Sequence, residues 1–217
     1  TWVTSSLNSL NSTFNGCTDF NQDISSWNTS TVTDMNQLFR DCVSFNQNLS
    51  SWITVSVTDL SGTFQGCTDF NQDIGSWDVS AVTTLAATFR NATSFNQDIS
   101  GWNVAGVREM SSMFQGATAF NKNLTSWNVR SVTAMTDMFA EADGFRGDIG
   151  GWLTVSLSSA GSAIDLSSTY FTQVDPIFNW PVATTASAAI LGNVTGDQSG
   201  SYILIEDPYR TGYHRIV

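Results

Sequence analysis

Chemistry in this chain would have to come from a few side chains. Asp23, Asn48, Asp73, Asp98, Asn123 and Asp148 recur at one fixed interval. Stacked oxygen ligands of this kind could hold Ca²⁺ between layers, with Asp73 and Asp98 as the directly adjacent carboxylates. Two such carboxylates repel each other unless a cation or hydrogen-bond donors compensate. The competing reading is structural. Asn21, Asn46, Asn71, Asn96 and Asn121 would form an internal amide ladder that satisfies turn backbone groups, and the neighbouring Asp or Asn would cap the same turn. Neutral Asn interrupts the acidic column and no glycine-rich Ca²⁺ loop accompanies it, so the structural reading is preferred and no cofactor is expected.

Covalent catalysis has little to draw on. A nucleophile needs a base beside it, and the single histidine, His214, lies far along the chain from Cys17, Cys42 and Cys67. No glycine-rich phosphate loop is present. Carboxylates occur as ladders rather than as the one unique pair that glycoside hydrolysis uses. The three cysteines share one phase that later holds Ala92, Ala117 and Ala142. A residue that exchanges with alanine is a small core filler, so these read as free buried thiols. A vertical Cys–Cys bridge between neighbouring repeats is the alternative, and the absence of CxxC spacing makes metal binding the weakest option. Asn-x-Ser/Thr acceptor sites for N-glycosylation occur at Asn11, Asn28, Asn48, Asn91, Asn123 and Asn193.

Composition narrows the class. Charged residues make up 12% of the 217 residues, roughly half the usual share, and the net charge is −11. Without a basic stripe the chain is not expected to bind nucleic acid or an anionic membrane surface. No apolar run is long enough to span a bilayer, and no signal-peptide pattern stands at Thr1. Richness in Asn, Ser and Thr together with the acceptor sites favours an extracellular location.

The elements that position these residues follow from one period. Trp2, Trp27, Trp52, Trp77, Trp102, Trp127 and Trp152 are spaced by 25, as are Phe14 to Phe139 and Phe20 to Phe145. The corner FNQDISSW (20–27) returns as FNQNLSSW, FNQDIGSW, FNQDISGW, FNKNLTSW and FRGDIGGW. A constant period without insertions marks a solenoid whose units bury their apolar faces only against each other. The segment I-x-x-W-x-V-x-x-V is expected to form a short parallel strand and its exit turn. The segment V-T-x-M-x-x-M-F has helical spacing, with Thr33 or Thr58 as N-cap. The expected fold is an α/β, leucine-rich-repeat-like right-handed solenoid of about six rungs over residues 1–160, with the tryptophan and phenylalanine ladders in its core.

Residues 161–217 break the repeat and hold all the prolines and tyrosines. SYILIEDPYRTGYHRIV reads as two strands around a turn at Asp207-Pro208, so this part is expected to be a β-rich cap, the start of another domain, or an assembly segment. The opening Thr1-Trp2 stands directly in repeat phase, which suggests a truncated array or an end covered by another subunit.

The units, with V-T-x-M-x-x-M-F, F-N-x-D-I-S-x-W and a trailing [DN]-V-S-x-V, resemble the 25-residue repeat of BspA-like leucine-rich-repeat surface proteins over about residues 2–157. The cysteine column and the eroded FRGDIGGW depart from that pattern, and no anchoring signal is visible. The resemblance implies an extracellular solenoid associated with adhesion and transfers no catalytic residues. The resulting expectation is a non-enzymatic structural or adhesive surface protein that contacts other proteins or glycans. The alternative is a subunit that assembles with copies of itself, head to tail, into a filament or sheath.

Overall fold

A computed structural model describes residues 4, 6–149 and 152, together with the backbone of strands β1 (Leu204–Glu206) and β2 (His214–Ile216). Trp2 and Asn193, and residues 153–203, lie outside the described residues. β1 and β2 pair antiparallel, with Leu204 opposite Ile216 and Glu206 opposite His214.

Residues 6–149 wind into stacked coils. Single parallel bridges join Ser9 to Asp34, Asp34 to Asp59, Asp59 to Thr84, Thr84 to Glu109 and Glu109 to Ala134. Around each bridge every second N–H donates to a carbonyl of the next coil. Leu10, Ser12, Phe14 and Gly16 donate to Asp34, Asn36, Leu38 and Arg40 at 2.8–2.9 Å. The same four bonds recur at each later junction, ending with Met110, Ser112, Phe114 and Gly116 donating to Ala134, Thr136, Met138 and Ala140.

This bonded edge falls where a helical turn was expected, and the described residues contain no helix. The segment from Met35 to Phe45 is instead a chain of tight turns, in which Leu38, Arg40, Cys42 and Phe45 each donate to the carbonyl three positions back. Gln37 and Asp41 take positive φ (53° and 59°), as do their equivalents at 12, 62, 87, 112 and 137 and at 16, 66, 91, 116 and 141. A left-handed residue at every fourth position stops an α-helix and turns alternate N–H groups outward to the next coil. Such a path also returns inward every three or four positions, which is why Met35, Leu38, Phe39 and Cys42 mimic helical spacing. The expected strand is likewise replaced by turns: Trp27 N–H closes on Ile24 O at 3.0 Å and Val32 N–H on Thr29 O at 2.9 Å. Thr33 and Thr58 are not helix caps. Each donates both its N–H and its hydroxyl to one carbonyl of the preceding coil, that of Asn8 and Thr33 respectively.

The core is a set of columns. Phe39, Phe64, Phe89, Phe114 and Phe139 are fully buried, as are Phe45 to Phe145 at the second phenylalanine phase, and Trp27 to Trp152 are buried beside them. Within a coil the two phenylalanines stack at 3.9–4.2 Å. Between coils the spacing grows from 5.4–5.7 Å in the first phenylalanine column to 5.7–6.0 Å in the second. It reaches 6.2–6.4 Å for tryptophan pairs. The coils therefore splay from their bonded edge toward the tryptophan side.

One donor rule closes the core. The residue that ends a turn donates its N–H within its own coil, and its side chain donates to the equivalent carbonyl one coil back. Trp52 N–H goes to Leu49 O while its indole Nε1–H goes to Ile24 O at 3.2 Å. Trp77, Trp102, Trp127 and Trp152 repeat this. Thr63 and Thr88 do the same with their hydroxyls. Each of these buried donors is thus satisfied, which avoids a penalty of about 1–3 kcal/mol per orphaned group.

A second, slower rhythm of two coils lies over the first. At one left-handed corner the residues run Gly16, Asp41, Gly66, Asn91, Gly116, Glu141. A Cβ on Gly66 would fall on Asp41 Oδ1, and one on Gly116 on Asn91 Oδ1. The side chain of one coil thus fills the space left by glycine in the next. Gly66→Ala is expected to destabilise the protein by about 1–3 kcal/mol, from the left-handed backbone together with the clash. In an Asp41→Gly background only the backbone share should remain. Equal costs in the two backgrounds, measured by denaturant unfolding, would show that the side-chain overlap is unimportant.

Candidate functional site

The repeated corner FNQDISSW is where the sequence places its candidate chemistry, and two columns meet there. In the first, each Asn carboxamide oxygen accepts a backbone N–H of the following coil. Asn46 N–H donates to Asn21 Oδ1, Asn71 to Asn46 and Asn96 to Asn71, each at 3.0 Å. Asn121 N–H continues to Asn96 Oδ1 at 2.9 Å and Arg146 N–H to Asn121 Oδ1 at 2.7 Å. The column runs along the surface and is exposed or half-buried throughout, not internal. Gln47, Gln72 and Gln97 reinforce it by donating Nε2–H to Asn21, Asn46 and Asn71 Oδ1 at 2.8–3.0 Å. Sequence reasoning passed over these glutamines, although Gln follows Asn in four consecutive corners.

In the second column the side chains hold their own turns. Asp23, Asn48, Asp73 and Asp98 each accept, through Oδ1, the N–H two positions on at 2.9 Å, from Ser25, Ser50, Gly75 and Ser100. Asn123 differs, accepting Asp148 N–H of the next coil at 2.9 Å. Asp73 and Asp98 thus each commit one oxygen to a turn, and among the described residues no cluster of three or more His, Cys, Asp or Glu is placed to hold a metal ion. The same i to i+2 device recurs at two further phases, at Asn28, Asp78, Asn103 and Asn128 and at Asp34, Asp59 and Glu109.

These bonds act on the carboxyls. The Ser25 backbone N–H and hydroxyl hold Asp23 below the usual carboxylate range. The Ser80 hydroxyl and N–H do so for Asp78, and Ser100, with a small share from Lys122, for Asp98. Burial pushes the thiols the other way: Cys42 is raised to about 12 and Cys67 well above its ordinary value. Both are buried free thiols whose Sγ–H donates at 2.9 Å to the carbonyls of Phe14 and Phe39. Cys17 is free but exposed, because no described coil lies beneath it.

Five of the glycosylation acceptors, Asn11, Asn28, Asn48, Asn91 and Asn123, are exposed. Asn28, Asn48 and Asn123 already use their carboxamide oxygen in turns or between coils. Among the described residues no helix is long and apolar enough to cross a membrane.

Two expectations follow. At pH 8 a thiol reagent should modify Cys17 rapidly in the folded protein and reach Cys42 and Cys67 only after denaturant is added. Fast labelling of all three would contradict the buried column. Carboxyls held below their unfolded value of about 3.9 stabilise the fold above that pH, and the contribution is lost as pH falls through the folded value. Tm should therefore be flat from about pH 8 to 5 and drop below about 4. Combined Asp23→Asn, Asp78→Asn and Asp98→Asn should flatten the acid limb, because Asn makes the same turn bond at equivalent positions. An unchanged acid limb would exclude these carboxyls as its source.

No curated protein and no solved structure matches the chain. The family described as "Mycoplasma protein of unknown function, DUF285" matches residues 1–84 and again 58–180. The two matched stretches overlap, as tandem copies of one unit would, and together take in most of the 217 residues. With its repeated coils inside those bounds, the chain belongs to the DUF285 family.

Proposed function

We propose that the protein is a non-enzymatic extracellular structural or adhesive protein of the BspA-like, leucine-rich-repeat-like kind, whose stack of coils is a surface for contacts with proteins or glycans. The observation that carries this reading is that the side chains able to do chemistry are repeated and committed to stacking. Asn, Gln, Asp, Cys and Trp each form columns in which one polar atom binds the neighbouring coil or turn. What such a body offers a partner is length and regularity. The low charge, the wealth of Asn, Ser and Thr, and the resemblance of the repeat favour the cell surface as its place.

A second reading, assembly into a filament, draws on the direction of the bonds. Every described junction sends four N–H groups forward to the carbonyls of the next coil. A stack built this way has complementary rather than identical ends, and head-to-tail contacts of that type grow without closing.

The surface reading predicts saturable binding of the purified chain to some members of an array of extracellular-matrix proteins and glycans, with background binding to all of them as the result that would sink it. The filament reading predicts sedimentation that shifts with concentration; a single monomeric species across a thousandfold range would remove it.

A further inference from the structure

One flank of the stack carries a pattern that matches its own reverse. After each core tryptophan the side chains alternate in and out. Trp77 and Val79 are buried while Asp78 and Ser80 stand exposed, and Trp127 and Val129 are buried while Asn128 and Arg130 stand exposed. Each coil thus shows two outward positions, one on either side of a buried residue. Coil by coil they hold Ile53 and Val55, Asp78 and Ser80, Asn103 and Ala105, then Asn128 and Arg130. Ile53 and Val55 are 51% and 50% exposed, the largest exposure of any bulky apolar side chains among the described residues. The sequence returns to an apolar pair at the same phases with Leu153 and Val155, which lie outside the described residues.

Consider a two-fold axis perpendicular to this flank at the buried Val104. It exchanges the coils before that point with those after it, and it exchanges the two outward positions with each other. Asp78 then faces the partner's Arg130, and Arg130 faces the partner's Asp78. Ser80 meets the partner's Asn128, a hydroxyl against a carboxamide. Ile53 and Val55 fall opposite the phases that the sequence fills with Val155 and Leu153. Within one chain the two charges are idle. Asp78 accepts only from Ser80, and Arg130 forms no ion pair among the described residues. At the axis itself the chain is slight, with Ala105 half-buried and Gly101 and Gly106 exposed, so two copies can approach closely there.

The charges also fix the register. Moving the axis by half a coil sets Arg130 against Ile53 and Asp78 against Ala105, which desolvates both charges with no partner. A contact of this kind uses one patch twice, so every favourable pair counts twice.

We propose that this flank joins two copies of the chain in a two-fold dimer, with Asp78 and Arg130 paired across it and Ile53 and Val55 packed toward its ends. The contact closes at two and lies along the side of the stack, apart from any head-to-tail joining of its ends.

The test is sedimentation of the full chain and its variants across a wide concentration range. The unaltered chain should pass from monomer to dimer and stop there. Arg130→Asp sets two pairs of like charges face to face, and such juxtaposition should weaken the dimer by about tenfold or more. Asp78→Arg combined with Arg130→Asp exchanges the signs and should restore it. Coil closure tolerates the first change, because Ile53 occupies the same phase without a turn acceptor. Ile53→Asn with Val55→Ser copies the pair at Asn28 and Ser30, and should weaken the dimer while the denaturation midpoint stays within a few degrees. Should the doubly reversed chain fail to fold, this last variant decides. The inference is overturned by a monomer at every concentration, by a dimer that folded Arg130→Asp leaves unchanged, by a folded double reversal that stays as weak as the single one, by an apolar-pair variant that dimerises as before, or by growth past two that ignores these substitutions.

Discussion

The hydrogen bonds that each coil sends to the next are the constraint on which the other features depend. Alternate N–H groups of one bonded edge must meet carbonyls of the following coil, at every junction. That geometry holds only if equivalent residues superpose coil after coil, so the circumference is fixed at one repeat and a single insertion would displace every bond downstream. It also demands a backbone that turns alternate N–H groups outward. The left-handed corners at positions such as Gln37 and Asp41 provide this, and the local strain persists because both neighbours hold it.

Hydrogen bonds specify the stack, but aromatic burial stabilises it. A neutral bond is worth about 1 kcal/mol net, whereas each buried aromatic removes a large apolar area from water, and stacked pairs add roughly 0.5–1.5 kcal/mol beyond that. The indole and thiol donors link the two, since Trp52 and Cys42 each fill the core with one part of the side chain and satisfy a backbone carbonyl of the preceding coil with another. Each coil buries its apolar face only against its neighbours, so stability is a sum over junctions.

The same economy shapes the surface. Asn, Asp, Ser and Thr, which compete with regular secondary structure when placed inside it, here replace it: their side chains serve as the turn acceptors that a helix or sheet would draw from the backbone. A turn or a junction occupies one atom of such a side chain and leaves the other outside. A surface of half-committed polar groups, repeated without interruption, is therefore a consequence of how the coil closes. Ile53 and Val55 break that pattern. Both stand exposed, where Asn28, Asp78, Asn103 and Asn128 hold the first position and Ser30, Ser80, Ala105 and Arg130 the second, and the sequence repeats the apolar pair at Leu153 and Val155.

The sequence by itself determined the period and which phases are apolar, because burial imposes the same residue types at the same points in every coil. Trp27 to Trp152 and Phe39 to Phe139 can be picked out without coordinates. It did not determine the path between them. Met35, Leu38, Phe39 and Cys42 read as a helix because a run of tight turns and a helix both return inward every three to four positions, and spacing alone cannot separate them. The glycines at 16, 62, 66 and 116 carried the missing signal, as residues suited to positive φ, but Gln, Asp, Ala and Glu at equivalent positions concealed it. The corner motif was visible from the start. That Gln47 braces Asn21, and that Asp41 fills the space over Gly66, was decided only by the tertiary structure. Both are contacts between residues one repeat apart, brought together by the stacking of coils and not by any local preference of the chain.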